Sequence, residues 1–235
     1  MVEKKNHLER VPTGIKGLDD AMSGGFIKDS INLVAGSPGS GKSIFAMQYL
    51  INGLKKYNEP GVYITFEERK DKLIQYMNNF GWDLKKLVKE KKIDILEQSP
   101  EDIKKSTTKE ILGLKYKIVK QLKAKRIVID STSAYSLLFP NDLDKRTANM
   151  DLFEMLRDWK VTTLLTAEYD IEDHKSTPLD FEVDSIVWLY NMKKTDVRTR
   201  ALEVYKMRGS KHLAKTFPLE ITNKGVVIYP EQSVF

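Results

Sequence analysis

The chain has 235 residues, of which 41% are hydrophobic and 31% are charged, and its net charge is +6. This composition is typical of a globular protein and excludes a disordered tail or a collagen. The lack of cysteine excludes disulfides, thiolate catalysis and cysteine-based metal sites. No apolar run reaches the roughly 18 residues of a membrane span, and the charged N-terminal sequence lacks the apolar core of a signal peptide. We therefore expect a cytoplasmic protein with no membrane partner.

The positive charge taken alone favours a nucleic-acid partner, because a basic isoelectric point is typical of such proteins. However, 31 of the 39 basic residues are lysines, and they are spread along the chain beside glutamates. Mixed lysine and glutamate is more typical of a solvated surface. A nucleic-acid partner therefore stays open and is not favoured.

Predicted strands and helices alternate along most of the chain. Apolar runs predict strands at residues 30–36, 61–67, 93–98, 126–130 and 161–168. Apolar residues at helical spacing predict helices at about 42–56, 70–80, Pro100 to about 123, and 143–159. Apolar strands joined by helices are typical of an α/β fold with a mostly parallel sheet that is buried on both faces.

The sequence changes character after Asp180. Strand-like segments follow at 184–192, 199–207, 216–221 and 226–230, with turn residues and no helix between them. We interpret them as an antiparallel extension of the same sheet. We expect one domain over residues 1–235, with residues 1–10 as an N-terminal arm.

The most specific motif lies between the first predicted strand and the first predicted helix. Residues 36–43 read G-S-P-G-S-G-K-S and fit the phosphate-loop pattern G-x-x-x-x-G-K-[ST]. Glycines let backbone N–H groups face a phosphate, and the helix points its positive end at the same place. The Lys42 side chain can reach the β- and γ-phosphates, and the Ser43 hydroxyl can bind Mg²⁺. The predicted nucleotide-binding residues are Ser37, Pro38, Gly39, Ser40, Gly41, Lys42, Ser43 and Ile44.

Carboxylates follow two other predicted strands. Asp130 ends the apolar run R-I-V-I-D, the Walker B pattern, and is predicted to hold Mg²⁺. Glu67 and Glu68 follow the second strand, and the carboxyl ends of strands face the ligand in an open α/β sheet. We predict Glu67 as the base that activates water, with Glu68 in support. The alternative is an exposed acidic turn.

These motifs together resemble the KaiC family of RecA-type ATPases, and in particular its single-domain archaeal members. The resemblance covers about residues 10–230. The segments that carry it are T-G-I-x-G-L-D at 13–19, Gly24-Gly25, the phosphate loop, Glu67-Glu68, L-T-A-E at 165–168 and K-M-R-G-S at 206–210 followed by His212, Lys215 and Phe217-Pro218. It implies a RecA-like fold and ATP hydrolysis, with ATP and Mg²⁺ bound between the subunits of a hexameric ring.

Two cations in the last of these segments have a second line of support. Lys206 and Arg208 are two residues apart on a predicted strand, so both point to one face. They repel each other there unless an anion lies between them, and the γ-phosphate of a neighbouring subunit would serve. In the family these positions reach the adjacent subunit's nucleotide, and Lys215 matches a third such cation. The alternative is a solvated basic edge strand.

The chain also departs from the family pattern. Clock proteins of this family join two such domains and this sequence carries one, so the resemblance does not imply a clock function. Ser176 and Thr177 match the autophosphorylated loop poorly because Pro178 follows them, so we expect a polar turn and no autokinase activity. Two other functions stay open, namely a DNA-binding repair accessory and a nucleotide-gated interaction module with little turnover. The sequence identifies no protein partner.

Overall fold

The fold is built on a nine-stranded sheet. The computed structural model describes residues 8–98, 108–171, 176–194 and 196–234. The strands are β1 (Arg10–Val11), β2 (Phe26–Ile27), β3 (Ile31–Gly36), β4 (Gly61–Thr65), β5 (Ile93–Glu97), β6 (Arg126–Asp130), β7 (Thr162–Glu168), β8 (Ser185–Lys194), β9 (Val197–Met207), β10 (Thr216–Thr222) and β11 (Gly225–Ile228). The sheet order is β11-β10-β9-β8-β3-β7-β6-β4-β5, and β1 pairs separately with β2.

The helices lie on both faces of this sheet. They are α1 (Leu18–Ala21), α2 (Lys42–Tyr57), α3 (Lys70–Met77), α4 (Leu84–Lys89), α5 (Thr108–Leu122), α6 (Thr132–Ser136), α7 (Asp142–Trp159) and α8 (Pro178–Glu182). One buried cluster holds the apolar residues of α2, α3 and α4, and a second holds those of α6 and α7. Strands β3, β4 and β6 are buried along their whole length, as expected for a sheet covered on both faces.

The predicted α/β fold is confirmed, with one correction at β8. Strand β8 runs parallel to β3, so the antiparallel part of the sheet begins only at β9. A parallel neighbour needs a crossover connection, and such connections are usually long helices. Here the described part of that connection holds only the five-residue helix α8, which has no apolar periodicity to reveal it.

The predicted element boundaries mostly agree with the structure. Helix α3 ends at Met77 and continues as a 3₁₀ turn to Phe80, and β4 ends at Thr65 rather than at residue 67. The predicted helix start at Pro100 lies outside the described residues. Among the helices that are described, none is long and apolar enough to cross a membrane.

Within the T-G-I-x-G-L-D segment at 13–19, the last residue is hydrogen-bonded to the first two. The Asp19 carboxylate accepts hydrogen bonds from the backbone N–H groups of Thr13 and Gly14 at 2.7 and 2.9 Å, and from the Thr13 hydroxyl at 2.7 Å. The carbonyl oxygen of Gly14 accepts a bond from Lys56 of α2 at 2.6 Å. This segment therefore fixes the chain against α2, the helix that follows the phosphate loop.

Candidate nucleotide-binding site

The phosphate loop connects the central strand β3 to α2. Its position is the usual ligand crevice of an α/β sheet, because the next strand in sequence, β4, lies beyond β7 and β6. Gly39 and Gly41 have φ angles of 78° and 104°, a region that side chains rarely enter. Pro38 and Gly39 are exposed, whereas Ser40 is buried and Ile44 packs on the core. The two glycines therefore give the loop the backbone conformation that a phosphate-binding turn uses.

Lys42 is buried within the loop that it follows. Its Nζ donates to the carbonyl oxygens of Gly36 and Ser37 at 2.9 and 3.2 Å, and the Glu168 carboxylate lies 3.9 Å away. Burial lowers the pKa of Lys42, and the nearby carboxylates of Glu168, Asp130 and Glu67 oppose that shift. The ammonium group has weak neutral acceptors as partners, which phosphate oxygens could replace.

Asp130 lies at the carboxyl end of β6 in a set of hydroxyl groups. Its carboxylate accepts hydrogen bonds from the Tyr63 and Thr166 hydroxyls. The Tyr63 hydroxyl also interacts with the Ser43 hydroxyl, and burial followed by the Asp130 charge raises the pKa of Tyr63. Tyr63 thus links the two predicted metal ligands, and both side chains carry the oxygen donors that Mg²⁺ prefers.

The two glutamates after β4 differ in their surroundings. The Glu67 carboxylate lies 3.5 Å from the Ser131 hydroxyl, and its pKa is raised by burial and by the charges of Glu168 and Asp130. The Glu68 carboxylate instead accepts a bond from the Arg69 backbone N–H at 3.3 Å. Glu67 is therefore the glutamate whose pKa responds to the charges of Glu168, Asp130 and Lys42.

Glu168 is a site residue that the sequence analysis did not assign. It ends β7, where the strand register pairs it with Gly36, and its backbone N–H donates to the Ser133 hydroxyl at 2.8 Å. The signal was present in the sequence, since this glutamate ends a predicted apolar strand just as Asp130 does. Only the pairing of β7 with β3 brings its carboxylate to Lys42.

The β8–β9 hairpin contacts the outside of the phosphate loop. Arg200 Nε donates to the Gly39 carbonyl oxygen at 3.0 Å, and the Asn191 side chain donates to that of Pro38 at 3.2 Å. No sequence signal identified either residue, because each contact depends on the long hairpin reaching past the end of β3. These contacts tie the β8–β9 hairpin to the phosphate loop.

Lys206 and Arg208 lie away from the phosphate loop of their own chain. The register across β9, β8 and β3 aligns Lys206 with Leu33. It aligns Arg208 with Ile31, the first residue of β3. These levels are three and five residues before Gly36, which is roughly 10 and 16 Å along the strands. Lys215, the third predicted cation, donates to a backbone carbonyl beyond β11 at 3.2 Å.

Both cations bind the carbonyl end of α8. Lys206 Nζ donates to two backbone carbonyls of segment 180–183, at 2.6 and 2.8 Å. Arg208 donates to a third carbonyl of that segment and lies 3.6 Å from the Asp184 carboxylate. Burial and the charge of Arg208 lower the pKa of Lys206. The two side chains share one face, as predicted, and they stabilise the negative end of a short helix.

Thr177, named in the sequence analysis with Ser176, begins the same helix. Its backbone N–H donates to the Asp180 carboxylate at 2.7 Å, an N-terminal capping arrangement. Its hydroxyl lies 3.0 Å from the Tyr169 hydroxyl, while Ser176 is exposed.

Known proteins share both the sequence pattern and the fold of this chain. The family model described as "ATPase: KaiC" matches residues 11–233. The circadian clock oscillator proteins KaiC of Prochlorococcus marinus and of a Nostoc species are 34% and 35% identical over 96% of this chain. The chain spans about half the length of these curated relatives, 46% and 45%.

A solved structure is similar over its full length. The KaiC-like protein of the hyperthermophilic archaeon Pyrococcus horikoshii superposes with a TM-score of 0.87 at 34% identity, over 95% of this chain and 100% of that chain. The chain therefore belongs to the KaiC family of RecA-type P-loop ATPases.

Proposed function

We propose that this chain is a Mg²⁺-dependent ATPase that converts ATP and water to ADP and phosphate, at sites completed between subunits of a ring. The observation that carries this proposal is the convergence of Lys42, Asp130 and Glu67 at one end of the sheet. A phosphate ligand, a metal ligand and a base are the minimum set for hydrolysis of a phosphoanhydride. The family assignment supports the same reaction.

The residues of the site fit a Mg²⁺–nucleotide complex. The backbone N–H groups of the phosphate loop and the Lys42 ammonium would bind the phosphates, and Ser43 with Asp130 would hold the metal. When bound, Mg²⁺ neutralises negative charge on the phosphate oxygens. Tyr63 and Thr166 orient the Asp130 carboxylate through their hydroxyl groups, so the metal ligand is fixed before nucleotide arrives.

Glu67 acts on the water. Its carboxylate takes a proton from the attacking water, whose oxygen bonds to the γ-phosphorus as the bond to the bridging oxygen breaks. Burial and the neighbouring carboxylates raise the pKa of Glu67, and a carboxylate with a raised pKa is a stronger base. Glu168 contributes to that shift and contacts Lys42, so we assign it a positioning role.

Lys206, Arg208 and Lys215 act on the nucleotide of the adjacent subunit in this proposal. Two facts support that role: the first two lie roughly 10 and 16 Å along the strands from their own loop, and their positions match the family segment. Lys206 and Arg208 already bind neutral acceptors, the backbone carbonyls at the end of α8. Exchange of these carbonyls for a γ-phosphate would supply cations where charge develops in the transition state.

The test mixes two variants that are each inactive for a different reason. Lys42→Ala removes the phosphate ligand but keeps Arg208, whereas Arg208→Ala keeps the phosphate loop. We expect each variant alone to hydrolyse ATP at least ~10³-fold more slowly than the wild type. Mixed rings should recover turnover, because Lys42→Ala subunits donate the missing arginine.

The matched control is Lys211→Ala, which removes an exposed cation close to the same segment. It should leave turnover unchanged. Turnover per subunit should also rise with protein concentration and then saturate. If the mixture gains nothing and turnover does not depend on protein concentration, the interface role is wrong. If no turnover occurs at any concentration, the chain is a nucleotide-gated interaction module instead.

Charge near α7 and α8 does not favour the DNA-binding alternative. A cavity of about 540 Å³ lies between these helices, bounded by segments 140–149 and 176–182. Its charged lining residues are balanced: Asp142, Lys145, Arg146 and Glu182. A channel for single-stranded nucleic acid is expected to carry an excess of positive charge.

A further inference from the structure

Helix α8 contacts the two cations that we assign to the neighbouring site at one end, and at the other end it contacts Tyr169, the residue that follows β7. Its carbonyl end binds Lys206 and Arg208, as described above. Its N-terminal end is joined to Tyr169, the residue after β7, through the hydrogen bond between the Thr177 and Tyr169 hydroxyls at 3.0 Å. The helix is only five residues long, Pro178–Glu182. A displacement of one end is therefore transmitted to the other.

Tyr169 connects this helix to the phosphate loop. It follows Glu168 at the end of β7, and its backbone N–H donates to the Gly36 carbonyl oxygen at 3.3 Å. The same carbonyl accepts a hydrogen bond from Lys42 at 2.9 Å. If a phosphate draws the Lys42 ammonium away, the Gly36 carbonyl oxygen loses one of its two donors. The hydrogen bond from that oxygen to the Tyr169 backbone N–H then changes as well.

A continuous set of contacts thus runs from one nucleotide site to the cations of the next. It passes from Lys42 to the Gly36 carbonyl, then to Tyr169, then to Thr177 and α8. Each contact is a hydrogen bond between described residues, so the route does not depend on residues 172–175. Glu168 adds a negative charge beside this route, because it precedes Tyr169 in the sequence and its carboxylate lies 3.9 Å from Lys42 Nζ.

We propose that Tyr169 is a positioning residue that couples nucleotide binding in one subunit to the Lys206 and Arg208 cations serving the next. ATP binding draws Lys42 towards phosphate, Tyr169 shifts with the Gly36 carbonyl, and α8 loosens its carbonyl end from the two cations. The cations then reach the neighbouring γ-phosphate. This inference rests on the proposed function, since it requires a ring in which these cations act across the interface.

The coupling predicts cooperative hydrolysis. At saturating protein concentration, turnover of the wild type should rise sigmoidally with ATP, with a Hill coefficient above 1. Tyr169→Phe and Thr177→Val each remove one hydroxyl of the bond to α8 and keep the side-chain shape. Both should bring the Hill coefficient to 1, and the double variant should add nothing to either single change. Thr177→Ser, which keeps the hydroxyl, should restore the sigmoidal curve.

The control is Tyr190→Phe, which removes a part-buried hydroxyl that donates to Glu203 at 2.6 Å. It should leave the Hill coefficient at the wild-type value. A hyperbolic wild-type curve, or sigmoidal curves in both Tyr169→Phe and Thr177→Val, would overturn the coupling. If Tyr169→Phe does not fold, the Hill coefficients of Thr177→Val and Thr177→Ser test the coupling by themselves. Equal coefficients in these two variants would overturn it.

Failure of the coupling can be told apart from failure of the interface. The mixture of Lys42→Ala and Arg208→Ala subunits tests the interface without changing Tyr169 or Thr177. Recovery in that mixture together with a hyperbolic wild-type curve refutes the coupling only. No recovery in that mixture, together with turnover that does not depend on protein concentration, refutes the interface, and the coupling through Tyr169 with it.

Discussion

The two adjacent glutamates after β4 allow a test in which each variant is the other's control. The charges of Glu168, Asp130 and Lys42 act on the pKa of Glu67, whereas the Glu68 carboxylate accepts a backbone N–H from Arg69. Glu67→Gln keeps the size of the side chain and removes its ability to take a proton. We expect turnover to fall by about 10²–10⁴-fold, the usual contribution of a general base. This loss corresponds to roughly 3–5 kcal/mol of transition-state stabilisation.

Glu68→Gln should have a much smaller effect. Glutamine retains a carbonyl oxygen that can accept the Arg69 N–H, so the local turn is preserved. A half-exposed substitution of this kind changes free energies by roughly 0.5 kcal/mol, or about twofold in rate. The structure therefore predicts a gap of at least tenfold between two chemically identical changes at neighbouring positions.

Turnover and binding need separate assays. Steady-state phosphate release with saturating Mg²⁺ and ATP gives turnover, and equilibrium titration with a fluorescent ATP analogue gives affinity. Glu67→Gln should still bind the analogue, because Lys42 and the loop N–H groups are untouched and one repelling charge is gone. Equal losses in Glu67→Gln and Glu68→Gln, or a larger loss in Glu68→Gln, would refute the assignment of Glu67 as the base.

Three further changes test the site and the core. Turnover should fall as pH drops through the raised pKa of Glu67, because the base must be deprotonated. Glu168→Gln removes a repelling carboxylate and lowers that pKa, so this acidic limb should move to lower pH; an unmoved limb contradicts the electrostatic argument. Tyr63→Phe leaves the Walker B aspartate without one hydroxyl donor, so the Mg²⁺ concentration for half-maximal turnover should rise about 10–100-fold, and an unchanged value would show that this hydroxyl does not orient the ligand. Gly53→Ala should destabilise the protein by roughly 1–3 kcal/mol in denaturant unfolding, because its Cβ would lie 2.3 Å from Nε of the buried Arg126. Gly113→Ala is the matched helical control and should be neutral or stabilising, since its Cβ would meet no described atom within 4 Å.

A buried charge explains why Gly53→Ala is expected to lower the free energy of unfolding. The clash with Arg126 outweighs the gain from the higher helix propensity of alanine. The Arg126 guanidinium is fully buried and bound to Glu59 at 2.6 Å and to the Tyr49 carbonyl at 3.0 Å. It also lies 4.5 Å from the centre of the Tyr49 ring. A side chain held on so many sides cannot move away from a new methyl group without losing one of these contacts.

The sequence alone determined the features that depend on short-range spacing. The phosphate loop at 36–43 is a contiguous motif, and its place between an apolar strand and an amphipathic helix follows from local periodicity. Asp130 was recognisable because it ends an apolar run. The parallel sheet followed from apolar strands joined by helices, since such strands must be covered on both faces. The resemblance to the KaiC family rested on motifs of the same local kind.

The tertiary structure decided everything that depends on which distant segments pair. The register of β7 with β3 brings Glu168 to Lys42, and the β8–β9 hairpin brings Arg200 to the phosphate loop. Strand β8 pairs with β3 and runs parallel to it. No local pattern in the sequence of β8 reveals this partner or this direction. The distance of Lys206 from its own phosphate loop has the same origin. Hydrogen-bond register between strands is a non-local property, so the sequence predicted candidate residues and only the fold determined which of them lie close together.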